Sequence, residues 1–342
     1  MKICLRSSLF AFVFLIGTVC IVAQDPQALF NRGLDEFNEG KFAQAEATFK
    51  IVVKATPAVP EGHFNLGLAL YRQKKYGEAA KAFAEAVRLK PAYPRAYVQL
   101  GNTLDLSGNY AGALAAYASA EKLEPDNAVI FYHRGLAHET VGKLPEADAQ
   151  FRKAIALDPK YRSAYNALAR LLDKRKQEDA AVIFYEKLAD LDPKDAYAQQ
   201  RIGDHFLRSK KYPEAAMQFK ISIALDPKNA SAHLGLGAAY FNDKKYAEAV
   251  APYQEASRLD PNSAQPVVYL ADAYRVQRLF PDAKAAYQKA LTIDPKSADA
   301  IYWLGAIAVT EQNMADARAY HTRLKAIDAA KAAKLLDFIS PK

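Results

Sequence analysis

The side chains that most often carry chemistry are few in this chain and poorly spaced for it. The six histidines are His63, His133, His138, His205, His233 and His321. No two of them have the i, i+4 spacing of a zinc-binding helix, and His133 and His138, five residues apart, point to different helix faces. Both cysteines, Cys4 and Cys20, lie in an apolar N-terminal segment. The histidine and cysteine pattern therefore predicts no metal site, and we expect His138 to be a buried core residue.

Motifs for nucleophilic catalysis and for phosphate binding are also missing. Gly235-Leu236-Gly237 lacks the third glycine of a dinucleotide-binding loop. Neither a P-loop nor the Gly-x-Ser-x-Gly turn of hydrolases occurs. We therefore expect a protein that is not an enzyme and that binds no cofactor.

Composition points to a folded protein with a mixed-charge surface. Of the 342 residues, 51% are hydrophobic and 25% are charged, which excludes a disordered tail protein and a multi-span membrane protein. The net charge is +8, but lysine and arginine are spread along the chain among aspartate and glutamate. This distribution favours a solvated helical surface over a nucleic-acid site, and we expect no nucleic-acid partner.

The first residues have the pattern of a secretory signal peptide. Lys2 and Arg6 precede an apolar stretch from Leu9 to Val22, and the small residue Ala23 follows. We predict a signal peptide over residues 1–23, cleavage before Gln24, and a periplasmic or secreted protein. The stretch of 14 residues is short for a membrane-spanning helix, which needs about 20. An uncleaved signal that anchors the chain in the inner membrane remains the alternative.

The rest of the sequence is built on a repeat. Leu-Asp-Pro occurs four times at intervals of 34 residues, at 157–159, 191–193, 225–227 and 259–261. Extending this interval gives nine repeats without insertion from Pro26 to Lys331. Their predicted ranges are 26–59, 60–93, 94–127, 128–161, 162–195, 196–229, 230–263, 264–297 and 298–331.

Three positions of the repeat carry a constant kind of side chain. Position eight is glycine or alanine and position twenty is alanine in all nine repeats. Position twenty-four is aromatic in eight repeats, from Phe49 to Tyr287, and is His321 in the last. Small residues let two antiparallel helices approach closely, an aromatic ring fills the space between repeats, and the proline ends the second helix.

These columns resemble the tetratricopeptide repeat (TPR) family over nearly the whole chain after residue 25. The resemblance implies an all-α, right-handed superhelical solenoid of nine helix-turn-helix repeats. Such an array needs a terminal cap with a polar outer face. We predict this cap over residues 332–342, within a helix from Ala330 to Ile339 whose apolar side includes Leu335, Leu336 and Ile339.

The resemblance also implies where a partner binds, because the first helix of each TPR lines the concave surface. The side chains at the corresponding positions are our candidate partner-binding residues: Phe30, Phe37, Phe64, Tyr71, Tyr132, His133, Asn166, Arg170, Arg201, Asp204, Arg208, Phe241, Tyr269, Arg275, Tyr302 and Trp303. Aromatic residues and arginine are enriched at binding hot spots. We expect Arg170, Arg201 and Arg208 to converge on an acidic group, with pairing to neighbouring aspartates as the alternative.

Two functions fit this reading of the sequence. The first is an exported scaffold or adaptor that holds a partner peptide or protein in the concave groove. The second is an envelope module that binds a non-protein ligand such as cell-wall glycan, which the aromatic clusters also suit. The carboxylate clamp known from TPR co-chaperones is missing, since Val98 and His133 occupy two of its positions.

Repeat five departs from the pattern at position seventeen. This position is aromatic or aliphatic in seven other repeats but is Glu178 here, after an entirely polar turn. A solvated turn is one interpretation, and a weak joint at repeat five, between repeats one to four and repeats six to nine, is the other.

Overall fold

The computed structural model describes residues 25–340, in which every regular element is an α-helix. The predicted signal peptide lies outside these residues. The chain divides between Asp126 and Asn127 into two compact bodies, which we call the N-terminal body (residues 25–126) and the C-terminal body (residues 127–340). The prediction of an all-α repeat fold is confirmed for the described residues.

The N-terminal body contains repeats one to three as three helix pairs. Its helices are α1 (Pro26–Asn38), α2 (Phe42–Ala55), α3 (Pro60–Arg72), α4 (Tyr76–Leu89), α5 (Pro94–Leu106) and α6 (Tyr110–Leu123). Odd-numbered helices are the first helices of their repeats and even-numbered helices are the second.

The C-terminal body contains six further pairs and one extra helix. The helices are α7 (Ala128–Thr140), α8 (Leu144–Leu157), α9 (Arg162–Lys174), α10 (Glu178–Leu191), α11 (Ala196–Arg208), α12 (Tyr212–Leu225), α13 (Ala230–Asn242), α14 (Tyr246–Leu259), α15 (Gln265–Val276), α16 (Phe280–Ile293), α17 (Ala298–Thr310), α18 (Met314–Lys325) and α19 (Ala329–Ile339).

The turn inside each repeat reverses the chain through one left-handed residue. Position fifteen has positive φ in all nine repeats, as Gly40, Gly108 and Gly142 in three and as non-glycine residues in six. The non-glycine residues are Lys74, Lys176, Lys210, Lys244, Arg278 and Gln312. A left-handed residue just past a helix closes the last turn with backbone hydrogen bonds. One such bond runs from the Lys75 amide to the Leu70 carbonyl at 3.0 Å.

The recurring Asp-Pro pair sets the turn between repeats. Proline ends the second helix because it has no backbone donor. The aspartate before it then accepts a hydrogen bond from the amide two residues ahead, as in Asp158 to Lys160 at 2.9 Å and Asp226 to Lys228 at 3.1 Å. Aspartate therefore recurs because its side chain replaces a backbone acceptor in this tight turn.

The core is built where the aromatic ring of position twenty-four lies against the glycine of position eight. A Cβ atom added to Gly101 would lie 2.5 Å from the ring of Tyr117, which is buried. The ring of Phe219 lies between Gly203 of its own repeat and Gly235 of the next, with corresponding distances of 3.0 and 2.4 Å. The rings therefore pack both within and between repeats.

The last repeat is closed by α19 in place of a tenth pair. Where the other repeats have a ring against position eight, Gly305 meets the side chain of Leu335 from α19, which is fully buried. The helix begins at Ala329, after the side chain of Asp328 caps it through the Lys331 amide. The boundary that we predicted between residues 331 and 332 therefore falls inside α19, because an aspartate cap starts this helix where proline is absent.

Repeat five is joined to repeat six by ion pairs. Glu178 at the start of α10 pairs with Arg208 at the end of α11, at 2.5 Å. Behind this polar contact, Leu168, Leu171 and Leu172 of α9 are buried in one cluster with residues of α10 and α11. The joint therefore combines an apolar core with a charged edge, and its relative weakness stays a prediction.

Candidate partner-binding surface

The C-terminal body has an inner side that is formed by its first helices. Helix α7 contacts α9, α11 contacts α13, and α13 contacts α15, whereas consecutive second helices make no comparable contact in this body. Elements on the inner side of a curved stack lie closer together than those on the outer side. We call the solvent-facing side of α7, α9, α11, α13, α15 and α17 the first-helix surface.

A polar pocket of about 330 Å³ lies between α7 and α9 on this surface. Three of our candidates, Tyr132, Asn166 and Arg170, line it. Arg170 is exposed and forms no ion pair within residues 25–340. By contrast, Arg162 at the rim pairs with Asp192, just after α10, and with Asp195, just before α11. Glu139 pairs with Lys174 of α9. This cavity, the Arg170 pocket, therefore offers a guanidinium and an amide to an anionic group.

The next part of the surface is occupied by internal ion pairs. The guanidinium of Arg201 donates to Asp173 at 2.7 Å and to Asp204 at 2.9 Å. The hydroxyl of Tyr185 donates to the same oxygen of Asp173 at 2.7 Å. Arg208 is also paired, with Glu178, so two of the three arginines have internal carboxylate partners, which is the alternative that the sequence analysis left open.

Burial governs the charges in this network. Burial raises the pKa of Asp204, against the opposing influence of Arg201 and Arg208. Burial lowers the pKa of Arg201, but the hydrogen bonds and charges of Asp173 and Asp204 outweigh it and raise the pKa above its usual value. These groups therefore hold α9 and α11 together and have little capacity left for a partner.

An aromatic pocket of about 250 Å³ lies between α13 and α15. It is lined by Ala238, Phe241, Asn242, Tyr253, Tyr269 and Asp272, of which Phe241 and Tyr269 are our candidates. The ring centres of Tyr253 and Tyr269 are 5.7 Å apart with planes at 48°. Burial raises the pKa of Tyr253, with further contributions from Tyr269 and Asp272. We call this cavity the Tyr269 pocket.

A third, mainly apolar pocket of about 320 Å³ lies between α15 and α17 and is bordered by α19. Its lining residues are Arg275, Val276, Arg278, Phe280, Trp303, Ala306, Ile307, Val309, Thr310 and Phe338. The guanidinium carbon of Arg275 lies 3.6 Å from the centre of the Trp303 ring. We call this cavity the Trp303 pocket; it contains two of our candidates.

The candidates in the N-terminal body are packed more deeply than the sequence implied. Phe64 is 3% exposed, with the rings of Phe83 and Tyr93 at 5.6 and 5.1 Å, so the structure places this candidate in the core. Three others are half-buried against aromatic neighbours of their own repeat: Phe30 on Phe49, Phe37 on Phe42, and Tyr71 on Tyr76. Each of these three rings therefore exposes only part of its side chain to a partner.

Two candidates of the C-terminal body, His133 and Tyr302, are also packed against neighbouring side chains of the protein. Burial lowers the pKa of His133 to about 4, so its imidazole is neutral near neutral pH, and its ring lies 5.1 Å from that of Tyr132. Tyr302 packs with Trp303 at 4.9 Å and with Phe338 of α19 at 6.5 Å. Tyr302 therefore packs against the cap. His138 is 8% exposed, as the sequence predicted.

Sequence reasoning missed several pocket residues. Asp272 occupies position nine of its repeat, a first-helix position that we had assigned to the surface without selecting this residue. Tyr253 belongs to the core column at position twenty-four, yet it lines the Tyr269 pocket as well. Phe338 of α19 is 53% exposed beside the Trp303 pocket and lies outside the repeat pattern altogether.

Two sequence profiles of repeat families match the chain. The tetratricopeptide repeat profile matches residues 30–94, 132–196, 201–264 and 270–332, and a TPR repeat profile matches residues 106–142. The chain belongs to the tetratricopeptide repeat family. TPR proteins typically mediate protein–protein interactions through the extended surface of the array.

Solved structures show the same TPR fold. The C-terminal part of a TPR repeat-containing protein from Cytophaga hutchinsonii matches with a TM-score of 0.58 and 19% identity, over 70% of this chain and 99% of that chain. PilF from Pseudomonas aeruginosa matches with a TM-score of 0.51 and 22% identity, over 62% of this chain and 97% of that chain. A chain of the APC/C Cut9–Hcn1 hetero-tetramer matches with a TM-score of 0.50 and 16% identity, over 92% of this chain and 76% of that chain. A comparison with curated protein sequences gave no match.

The described part of this TPR chain offers neither a metal-binding cluster nor a membrane-spanning helix. Residues 25–340 contain no group of three or more histidine, cysteine, aspartate or glutamate side chains placed to hold a metal ion. None of the helices within the same residues has the length and apolar character needed to cross a membrane.

Proposed function

We propose that this TPR protein is an exported scaffold that holds a peptide segment of a partner protein on the first-helix surface of its C-terminal body. The observation that carries this proposal is the row of pockets between consecutive first helices: the Arg170, Tyr269 and Trp303 pockets. Their volumes of about 250–330 Å³ suit individual side chains, at or below the lower end of the range for small-molecule sites.

The chemistry of the three pockets differs in a way that favours a peptide. Along the body, the Arg170 pocket offers an arginine, the Tyr269 pocket offers aromatic rings and a carboxylate, and the Trp303 pocket offers a mainly apolar lining. A peptide can present an acidic, a basic and an apolar side chain from one chain. Central aromatic and arginine residues are also the types that dominate the energy of protein interfaces.

A module for cell-wall glycan is the second candidate function. The Tyr269 pocket favours it, because aromatic rings beside the Asn242 amide and the Asp272 carboxylate also suit a sugar ring. The Arg170 and Trp303 pockets add no sugar-specific feature.

The two functions are separated by one parallel screen. The purified chain beginning at Gln24 is exposed to a displayed library of random peptides and to an array of cell-wall glycans. Enrichment of a peptide family that binds in solution, without glycan retention, supports the scaffold. Retention of glycans with no enriched peptide contradicts it.

Export is a separate part of the proposal and rests on the sequence pattern of residues 1–23 alone. N-terminal sequencing and intact mass of the protein recovered from the cell envelope test it. A mature chain that starts at Gln24 is expected. A membrane-bound species that retains Met1 would replace cleavage with anchoring.

A further inference from the structure

We propose that the Tyr269 pocket binds a lysine or arginine side chain of the partner peptide, and that the adjoining Trp303 pocket binds an apolar side chain next to it in the same peptide. This inference rests on the proposed function, since it names the chemistry of the peptide that the first-helix surface selects.

The walls of the Tyr269 pocket suit a cation. Phe241, Tyr253 and Tyr269 contribute three aromatic rings to a cavity with only six lining residues. The faces of aromatic rings carry negative electrostatic potential and attract ammonium and guanidinium groups. No lysine or arginine within residues 25–340 lies over any of these three rings. The ring faces are therefore not already satisfied by a cation of the protein itself.

Asp272 gives the same pocket its only charged wall. Its Oδ1 atom accepts hydrogen bonds from Arg275 at 3.0 Å and from Tyr287 at 2.6 Å. Its Oδ2 atom accepts none from residues 25–340. Because the guanidinium of Arg275 is drawn over Trp303, it lies toward the neighbouring pocket. One carboxylate oxygen is therefore left for a cation that enters among the rings.

The size of the Tyr269 pocket selects a side chain over a larger ligand. Its volume of about 250 Å³ lies below the range of about 300–1,000 Å³ that is usual for small-molecule sites. A long, flexible lysine or arginine side chain can place its charged end at Asp272 and its methylene groups along the rings.

The Trp303 pocket begins one helical turn further along α15. Asp272 lines the first pocket and Arg275 the second, and residues three apart on a helix have Cβ atoms about 5–6 Å apart. An extended peptide advances about 3.3–3.6 Å per residue, so side chains one or two residues apart reach both pockets. The second pocket is lined mainly by apolar groups, and Phe280 and Phe338 at its edge are 38% and 53% exposed. Burial of an apolar side chain there removes these exposed rings from water.

Two arginines at the Trp303 pocket favour the placement of the basic side chain in the Tyr269 pocket and of the apolar side chain in the Trp303 pocket. Arg275 and Arg278 both line it. A basic side chain in the Trp303 pocket would meet these like charges, whereas in the Tyr269 pocket it meets a carboxylate. The pair of pockets therefore distinguishes basic from apolar neighbours in the bound peptide.

Trp303 is the only tryptophan of the chain, and it supplies the signal for the test. The probe is the capped peptide acetyl-Ala-Lys-Ala-Phe-Ala-amide, which contains no tryptophan. Two control peptides replace its lysine with glutamate or with acetyl-lysine. Titration of the purified chain with each peptide, followed by selective excitation of Trp303, gives the three affinities. We expect the lysine peptide to bind about tenfold more tightly than either control.

Two variants assign that preference to the pocket. Asp272→Asn should reduce the preference for lysine over acetyl-lysine to about twofold or less, and Tyr269→Ala should weaken binding of the lysine peptide about tenfold. Asp282→Asn, on the exposed side of α16, is the matched control and should retain the preference. A cooperative urea transition and an unchanged far-UV circular dichroism spectrum of each variant show that the array has kept its fold.

The outcomes separate this inference from the proposed function. Equal binding of the three peptides, no binding of any, or an unchanged lysine preference in Asp272→Asn overturns the inference. If a library-selected peptide nevertheless binds and depends on Arg170, the scaffold function stands. If no peptide binds at all while glycans do, both proposals fail.

Discussion

The guanidinium carbon of Arg275 lies 3.6 Å from the centre of the Trp303 ring, and the same guanidinium donates to Asp272 at 3.0 Å. A planar cation that stacks on one repeat and bonds to a carboxylate of its own helix cannot be replaced by a lysine. Arg275 therefore serves as a link between α15 and α17, and its role as a partner contact is secondary.

Replacing Arg275 with lysine should loosen the joint between repeats eight and nine. The stacked and doubly hydrogen-bonded geometry is lost, at a cost of about 1 kcal/mol in local stability. Hydrogen exchange of amides in α15 and α17 measures the effect. Arg278→Lys is the matched control, since Arg278 is exposed and forms no ion pair within residues 25–340. Equal exchange rates in the two variants would contradict the linking role.

Adding a methyl group at Gly101 should destabilise the N-terminal body. The new Cβ atom would lie 2.5 Å from the ring of Tyr117, whose hydroxyl is fixed by a 2.7 Å hydrogen bond to Asn102. Overpacking of this kind typically costs about 1–3 kcal/mol. Urea denaturation should therefore show an earlier transition for Gly101→Ala. Gly77→Ala, where no atom lies within 4 Å, should be neutral or stabilising. Similar transitions for the two variants would refute this account of the repeat core.

Glycine should be favoured at the left-handed turn position. Lys244 has φ of 61° and Gly142, at the same position of another repeat, has φ of 75° with no atom within 4 Å of an added Cβ. Lys244→Gly should stabilise the C-terminal body by about 1 kcal/mol, and Gly142→Ala should destabilise it by a similar amount. Thermal denaturation measures both. Shifts of the same sign would show that backbone strain does not decide the preference.

The repeat core could be read from the sequence because its contacts recur with the period of the chain. Gly101 and Tyr117 sit in columns that hold the same kinds of residue in nearly every repeat, so one physical argument covers them all. The cap could be predicted from the need to cover the last repeat, but its exact start could not. Asp328 stands at the position of the aspartate in the recurring Asp-Pro pair, which begins a turn in earlier repeats, and here it caps a helix because Ala329 replaces the proline.

The candidate site was less predictable because it depends on pairs of residues from different columns. Arg170 and Arg201 are both arginines on a first helix, yet Arg170 is unpaired within residues 25–340 and Arg201 is held by Asp173 and Asp204. The two arginines stand at different repeat positions, nine for Arg170 and six for Arg201, and only Arg201 lies within reach of a carboxylate in the preceding repeat and another in its own. Tyr302 likewise packs against Phe338, a residue outside the repeats, which the repeat pattern could not indicate.

The first two repeats should lose stability in acid through Glu46. Burial raises the pKa of this carboxyl, but hydrogen bonds from Lys50, Lys75 and Gln73 outweigh burial and lower it to about 2. A carboxyl with a lowered pKa contributes stability above its unfolded value near 4.5, and that contribution is lost as the pH falls toward 2.

Urea denaturation at a series of pH values tests this linkage. Glu46→Gln should be less stable than the wild type near neutral pH, and the difference should shrink below about pH 4.5. A difference that stays constant across the acid range would exclude Glu46 as the titrating group.

The central claim is that a partner peptide lies on the first-helix surface of the C-terminal body. The affinity of one library-selected peptide, measured by titration calorimetry, tests it most directly. Arg170→Ala is compared with Lys289→Ala, which removes an exposed lysine from the second helix α16. We expect Arg170→Ala to weaken binding about tenfold or more and Lys289→Ala to change it less than twofold. Wild-type affinity in Arg170→Ala, or an equal loss in both variants, would contradict binding on the first-helix surface.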